Sequence, residues 1–257
     1  MSSSPKKSEA STAQKTVLSL PHGRMVVLED MDEDGSDLPT LVDMARAGQG
    51  EGYVRYNETA RTTVGSDSVP GVILRILIRP AMHASHAGKL AAFTAVAVAR
   101  AIERHSDMQV RIHWVNDLYE GKRKLGAILT NAQIDTSGHF DYAVIRIALS
   151  LDPADFPPRL GDVIRRVFRN EATLLSVRLV ESIVEEFFTL YDDVSLHPVY
   201  MEEYRKRSAT LGRRVKVLTG TKYERGLVTD IDEDACLVVR LSRKRSVTVR
   251  SRSEIVL

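Results

Sequence analysis

A single cysteine, Cys236, stands among the 257 residues, so neither an intrachain disulfide framework nor a multi-cysteine zinc site can form. A reducing, cytoplasmic setting fits that usage. No apolar run approaches the ~18 residues needed to span a bilayer, and the opening MSSSPKKSEASTAQK lacks the apolar middle of a secretory signal. Export and membrane insertion are therefore not expected. An excess of one charge is also missing: 36 basic and 34 acidic residues leave a net charge of +2, which gives no global case for a nucleic-acid or membrane partner. No internal repeat at solenoid periods is present.

What the chain does have is 43% apolar and 27% charged residues, the make-up of an ordinary soluble globular protein. Its length suits one full domain and a small second one, at about 100–200 residues per domain. The first 15 or so residues, rich in Ser, Lys, Ala and Thr, bury too little to offset their ordering entropy and read as a disordered leader. HGRMVVLEDM reads as a strand, DEDGSD as a break, and Pro39 to Ala47 as a short helix with proline in its first turn and Gly48 at its end. EGYVRYNE and the continuously apolar GVILRILIRP are strands, with the loop ARTTVGSDSVP between them.

From Lys89 to His105 the apolar residues recur at helical spacing. VRIHWV, KLGAILTNAQI and DYAVIRIALSLD then form extended, antiparallel neighbours separated by turns at Asn116 to Lys122 and Asp135 to His139. After a proline-rich connection, Asn170 caps a long helix carrying Leu174, Val180, Val184 and Phe187, and a further helix spans Pro198 to Thr210. The remainder consists of short alternating strands, a small all-β module close to the size at which a core barely suffices. From Thr210 to Leu257 it holds eleven Lys or Arg against six Asp or Glu, so the basic excess of the chain lies here.

Residues His113 to Ile134 carry the clearest chemistry. A strand, a charged turn and a second strand deliver Asn116, Asp117, Lys122, Arg123 and Lys124 to one end of a sheet, where a fixed lysine suits a carboxylate or phosphate. The same residue types also fit a solvated turn. The stretch resembles the central motif of the biotin and lipoate protein ligase family, K-W-P-N-D-hydrophobic followed by K-[LA]-[AG]-G-I-L. Trp114, Asn116, Asp117, Leu118, Lys124, Leu125, Gly126, Ile128 and Leu129 match it, while Val115 replaces the proline and Ala127 the second glycine. SATLGRRVKVLTG and GLVTDIDEDACLVVRL are similar to the family's C-terminal SH3-like domain.

The resemblance implies an α+β fold of the class II synthetase-like biotin/lipoate ligase type, with a mixed, mainly antiparallel sheet and flanking helices, followed by an SH3-like β-barrel. The division is a leader over 1–20, a catalytic-type domain over 21–208 and the SH3-like domain over 209–257. The implied activity joins biotin, or a related acyl acid, to ATP as an acyl adenylate with the help of Mg2+. The acyl group then passes to a lysine of a biotin carboxyl carrier or lipoyl-type domain. Lys124 matches the catalytic lysine, which would steady the charge that builds up at the α-phosphate. Asp117 matches the aspartate beside the incoming carrier lysine. Asn116 and Trp114 brace the turn and wall, and Gly126 and Ala127 line the acyl site.

The departures from the motif matter as much. The family's adenylate loop reads close to Q-T-A-G-R-G-R-x-G-R-x-W, whereas this chain has ETARTTVGSDSVPG. Glu58 and Thr59 fall on the first positions and Arg61 on a later one, but several cations are gone, each worth about 2.7–4 kcal/mol in a preorganised site. Arg146, Ala148 and Ser150 stand where the family has G-x-G-x-N against biotin and ATP, and of the usual S-T-N only Ser36 remains.

Three readings stay open: a ligase in which Arg146 recognises a different acid, a catalytically impaired paralogue that binds a carrier domain or ligand, and nucleic-acid binding through the basic C-terminal module. No helix-turn-helix pattern supports the repressor form of the family, and a homodimer is possible. Three side features have plainer readings. His83 and His86 fit a helix start better than a metal site, Asp230 to Asp234 fit an acidic turn, and Cys236 fits a small core residue.

Overall fold

The computed structural model describes residues 15–31, 39–57, 61–64, 67–150, 172–193 and 199–256. Three expected features lie outside them: the break at DEDGSD, the proline-rich connection and the Asn170 cap.

A large sheet is built from β1 (Lys15–Ser19), β2 (Met25–Asp30), β3 (Tyr53–Asn57), β4 (Arg61–Val64), β5 (Asp67–Ile78), β6 (Val110–His113), β7 (Asp117–Glu120), β8 (Arg123–Ile134) and β9 (Phe140–Ser150). The spatial order is β1-β2-β3-β5-β9-β8-β7-β6, with β4 paired to β5, and every pairing is antiparallel except β2 with β3. One face buries Val72, Leu74, Ile76, Ile145, Ile147 and Leu149 beneath α2 (Ala87–Arg104). Helix α2 is apolar enough to be covered all round, and α3 (Ala172–Asp193) and α4 (Val199–Arg207) pack over it. Each large side chain so buried contributes about 1.5–3 kcal/mol, and Phe93 of α2 meets Phe187 of α3 at a centroid distance of 5.1 Å. Charged pairs rim this contact: Arg100 binds Glu203 at 2.6 Å and Arg207 binds Glu103 at 2.6 Å.

On the opposite face lies the short helix α1 (Leu41–Arg46), whose Leu41 and Ala45 cover Tyr53, Leu77, Tyr142 and Val144. Thr40 caps α1 through a reciprocal capping box with Asp43. Proline therefore stands just ahead of the cap rather than in the first turn.

A second sheet, ordered β13-β12-β11-β10-β14, comprises β10 (Arg214–Thr219), β11 (Lys222–Ile231), β12 (Leu237–Ser242), β13 (Arg245–Val249) and β14 (Ile255–Val256). It is antiparallel throughout, as expected for an SH3-like unit. Its inward residues Val215, Val217, Val228, Leu237 and Val239 join the same apolar core as α2 and Trp114.

Three further sequence expectations need correction. Residues 15–19, inside the expected leader, form β1, because the edge of β2 offers a partner and Leu18 packs on the core. The expected loop ARTTVGSDSVP contains β4 and the start of β5, paired as a hairpin from Arg61↔Pro70 to Val64↔Asp67. The expected turn at Asn116 to Lys122 contains β7, paired on both sides.

Candidate active site

The hairpin of β7 and β8 turns at Gly121, whose φ of +58° suits glycine. A register shift between Leu118 and Tyr119 follows, so that Asp117 faces Ala127 while Tyr119 faces Lys124. Tyr119 shares a face with Asp117, so its partner Lys124 emerges beside Asp117 while the neighbouring Leu125 points into the core; the inserted residue then leaves Gly126 on the core face and brings Ala127 opposite Asp117. Lys124 Nζ lies 2.9 Å from Asp117 Oδ1, with the lysine side chain 31% exposed and the aspartate 14%. Arg252, from the segment before β14, brings Nη2 to 3.6 Å from Asp117 Oδ2 and donates Nη1 to the carbonyl of Trp114. Two cations thus flank one carboxylate, and the cluster keeps a positive excess.

His113 pairs with Asp117 across β6 and β7 and stacks on Tyr119 at 4.1 Å. Burial holds its imidazole below the usual histidine range; Asp117 opposes this, and Arg213, Arg252 and Lys124 reinforce it.

The turn feeding the site is held both by the sheet and from outside it. Asn116 donates its side-chain amide to the carbonyl of Ile128, and its backbone carbonyl accepts from the Ile128 N–H at 3.0 Å. Trp114 is buried, donates Nε1 to the Ala235 carbonyl at 2.7 Å and donates its backbone N–H to Thr210 Oγ1 at 3.0 Å. Tyr204 donates its hydroxyl to the Val115 carbonyl. The Trp114–Val115 peptide is cis, at the place where the family motif carries proline.

Strand register gathers the remaining residues. Asp117↔Ala127, Ala127↔Ala148 and Ala148↔Ile73 form one row across β7, β8, β9 and β5, and Ser150 and Arg146 lie one row to either side on β9. Lys124, Asp117, Ala127, Arg146, Ala148 and Ser150 therefore share one face of the sheet, the face that carries α1. Gly126 lies on the other face. There a Cβ would come within 2.3 Å of the Ala148 carbonyl oxygen and 2.7 Å of Leu149, so its role is close packing with β9 rather than ligand contact. Trp114 likewise belongs to the contact between the two sheets. Arg61 stands in β4, and Ser36, Glu58 and Thr59 lie outside the described residues.

The other candidates disperse. His83 caps its own turn, with Ser85 N–H donating to Nδ1, whereas His86 pairs with Asp234 at 2.7 Å. Burial, then Asp232, pushes the Cys236 thiol up to about 11, which leaves it a poor nucleophile at neutral pH. Among the described residues no three His, Cys, Asp or Glu side chains converge as a metal site, and no helix is long and apolar enough to cross a membrane. The C-terminal sheet has its own cationic groove of about 630 Å³, lined by Arg214, Lys216, Arg225 and Arg240 over Leu227 and Leu241.

No protein-family model matches the chain. Over 175 residues, 66% of this chain and 53% of the relative, it is 26% identical to the bifunctional ligase/repressor BirA of Bacillus subtilis. Identity to the corresponding protein of Bacillus spizizenii is 25% over 176 residues. The chain thus spans about half the length of the curated relatives it matches. A biotin protein ligase-like protein of unknown function from a Silicibacter species superposes with a TM-score of 0.66 at 16% identity, covering 91% of this chain and 96% of that one. The biotin protein ligase of Aquifex aeolicus in complex with biotin and ATP gives a TM-score of 0.54 at 13% identity, covering 89% and 94%. The architecture is that of the biotin protein ligases, and in sequence and fold together this chain is biotin protein ligase-like.

Proposed function

We propose that this protein is an ATP-dependent ligase that activates an acyl acid as its adenylate and transfers the acyl group to a lysine of a carrier domain. The observation that carries this reading is the Lys124–Asp117 pair at 2.9 Å, held on the α1 face of the sheet with Arg252 on its far side. In this reading the catalytic-type unit runs over 21–208, with β1 joined to its sheet, and the SH3-like unit over 209–257.

The donor set fits an anion. Lys124 and Arg252 offer a reacting carboxylate or phosphate a net positive, partly buried cluster, and such preorganised cations are worth several kcal/mol where negative charge builds up. ATP supplies the adenylyl group and the pyrophosphate that leaves. With no cluster of acidic ligands among the described residues, Mg2+ would be held mainly through phosphate oxygens. In the second step Asp117 orients the ammonium of the incoming carrier lysine and accepts a proton from it, the freed amine attacks the acyl carbon, and AMP leaves as the amide forms, while Lys124 stays on the acyl oxygens. Asn116, Trp114 and Tyr204 act indirectly by fixing the turn that places Asp117.

Acid-dependent exchange of labelled pyrophosphate into ATP tests the reading, with biotin, lipoate and octanoate as acids beside a sample with none. Exchange with one acid, reduced at least 100-fold by Lys124→Ala, is the expected outcome. No exchange with any acid, under conditions where the carrier domain still binds, would replace the ligase by a non-catalytic carrier-binding paralogue.

A further inference from the structure

The row beside Ala148 and Ala127 is a ladder of charge. Reading across the sheet, Lys15, Glu29, Arg55, Arg75 and Arg146 are consecutive register partners on β1, β2, β3, β5 and β9. Four cations thus share one anion. Glu29 binds both Lys15, at 3.3 Å, and Arg55, which also donates to the carbonyl of Pro39. Arg75 and Arg146 have no ion-pair partner among the described residues, and both are half-buried. Burial, then the charges of Arg146 and Arg55, shift Arg75 below the usual guanidinium range.

Like charges placed directly opposite each other in a sheet are destabilising. Two adjacent guanidiniums without a counter-ion among the described residues form a site that an anion would complete, because an arginine fork matches a carboxylate or phosphate bidentately. Their surroundings limit the kind of anion. The row on one side is apolar, with Tyr53, Leu77 and Val144 under α1. The row on the other holds Ile73, Ala148 and Ala127 and leads to Asp117. From strand spacing and residue rise, the backbones of Arg146 and Asp117 are ~12 Å apart, with a floor of small and apolar side chains between them.

We propose that Arg75 and Arg146 bind a second anionic group at the far end of the acyl substrate, so that the protein takes a dianionic acid rather than one with an uncharged head such as biotin. This rests on the ligase reading only for the fate of the near carboxylate. The binding itself stands on the arginine pair.

Isothermal titration of the full chain with suberate, 8-phosphonooctanoate, octanoate and biotin tests it. Suberate and octanoate differ only in the second carboxylate, so their ratio measures what the arginines add. Suberate or the phosphonate should bind at least 10-fold more tightly than octanoate. Arg146→Leu and Arg75→Leu should each remove that preference, and Arg225→Leu in the C-terminal groove should keep it. Equal binding of suberate, the phosphonate and octanoate by the unaltered protein would overturn the proposal without any variant. A dianion preference that survives both Arg146→Leu and Arg75→Leu would also overturn it. Pyrophosphate exchange separates the two readings. Arginine-dependent dianion binding without exchange keeps this inference and removes the ligase, whereas exchange with biotin and no dianion binding keeps the ligase and removes this inference.

Discussion

Arg146 illustrates how a residue placed for a ligand should register in stability. Facing Arg75 across β5 and β9, it adds repulsion to the free protein, and replacing a cation directly opposite another is worth about 0.2–1 kcal/mol. Arg146→Leu should therefore raise the urea midpoint of the ligand-free protein, with an unchanged slope. A fall of more than 1 kcal/mol would instead make Arg146 part of the folding framework. At this scale the motif residues were legible in the sequence. Lys124 and Asp117 sit three to four residues from a glycine turn on a recognisable hairpin, so their meeting followed from spacing. Arg252 was not legible, because it reaches Asp117 from 135 residues away through the fold of the C-terminal sheet. His113 and Tyr119 were hidden for a different reason: their stacking depends on β7, whose residues carry the charge of a turn. The motif points Gly126 toward the ligand, whereas its face of the strand makes it a packing residue.

At the scale of elements, the first turn of α2 docks on the turn between β11 and β12. A Cβ on Gly88 would lie 2.2 Å from the backbone oxygen of Asp234, and backbone cannot swing aside as a side chain can. Around it His86 and Lys89 both hold the Asp234 carboxylate, at 2.7 and 3.4 Å. Gly88→Ala should destabilise by about 1–3 kcal/mol, despite the better helix propensity of alanine. Gly50→Ala, where nothing lies within 4 Å, serves as the control and should be close to neutral in the same urea titration. Equal effects at both sites would mean that the α2 contact yields easily. The long elements were legible from the length and apolar content of their runs, which burial covers almost continuously in α2 and β9. The short strands were not. Within β4 and β5 the Gly, Ser, Asp and Pro residues carry turn chemistry, and Pro70 weakens any strand reading, yet the hairpin forms because β5 continues into the central sheet. In β7 the charged Asp117 and Glu120 hide an alternation that burial of Leu118 completes.

For the whole molecule, the net charge of +2 concealed how the charges are arranged, which only the fold reveals. Carboxylates clamp the layers together at three places. Glu51 receives the N–H of Arg79, Arg24 and the hydroxyl of Tyr191, Glu203 of α4 holds Arg100 of α2, and Asp234 ties the second sheet to α2. Burial opposes ionisation in all three, but their hydrogen bonds and neighbouring cations prevail and hold each below the usual carboxylate range. A folded pKa below the unfolded value gives stability that is fully present above the unfolded value, and that stability is lost as pH falls through the folded one. These groups should therefore weaken the protein only below about pH 4.3. His105 and His113 have the same sign in a higher window. Burial, which the neighbouring cations reinforce, keeps both below the usual histidine range, so the unfolded chain takes up protons first as pH drops below about 6.5. The stability curve should then fall in two limbs, a shallow one below about pH 6.5 and a steeper one below about pH 4.3. Urea midpoints measured from pH 8 to pH 3 would show both, with His113→Gln making the upper limb shallower, His105 keeping the remainder, and the lower limb staying in place. A single fall below pH 4.3, with no upper limb to flatten, would mean that His113 titrates normally and that the cations around Asp117 do not reach it. The charge around the Lys124 site would then be screened by solvent rather than focused on whatever acid binds there.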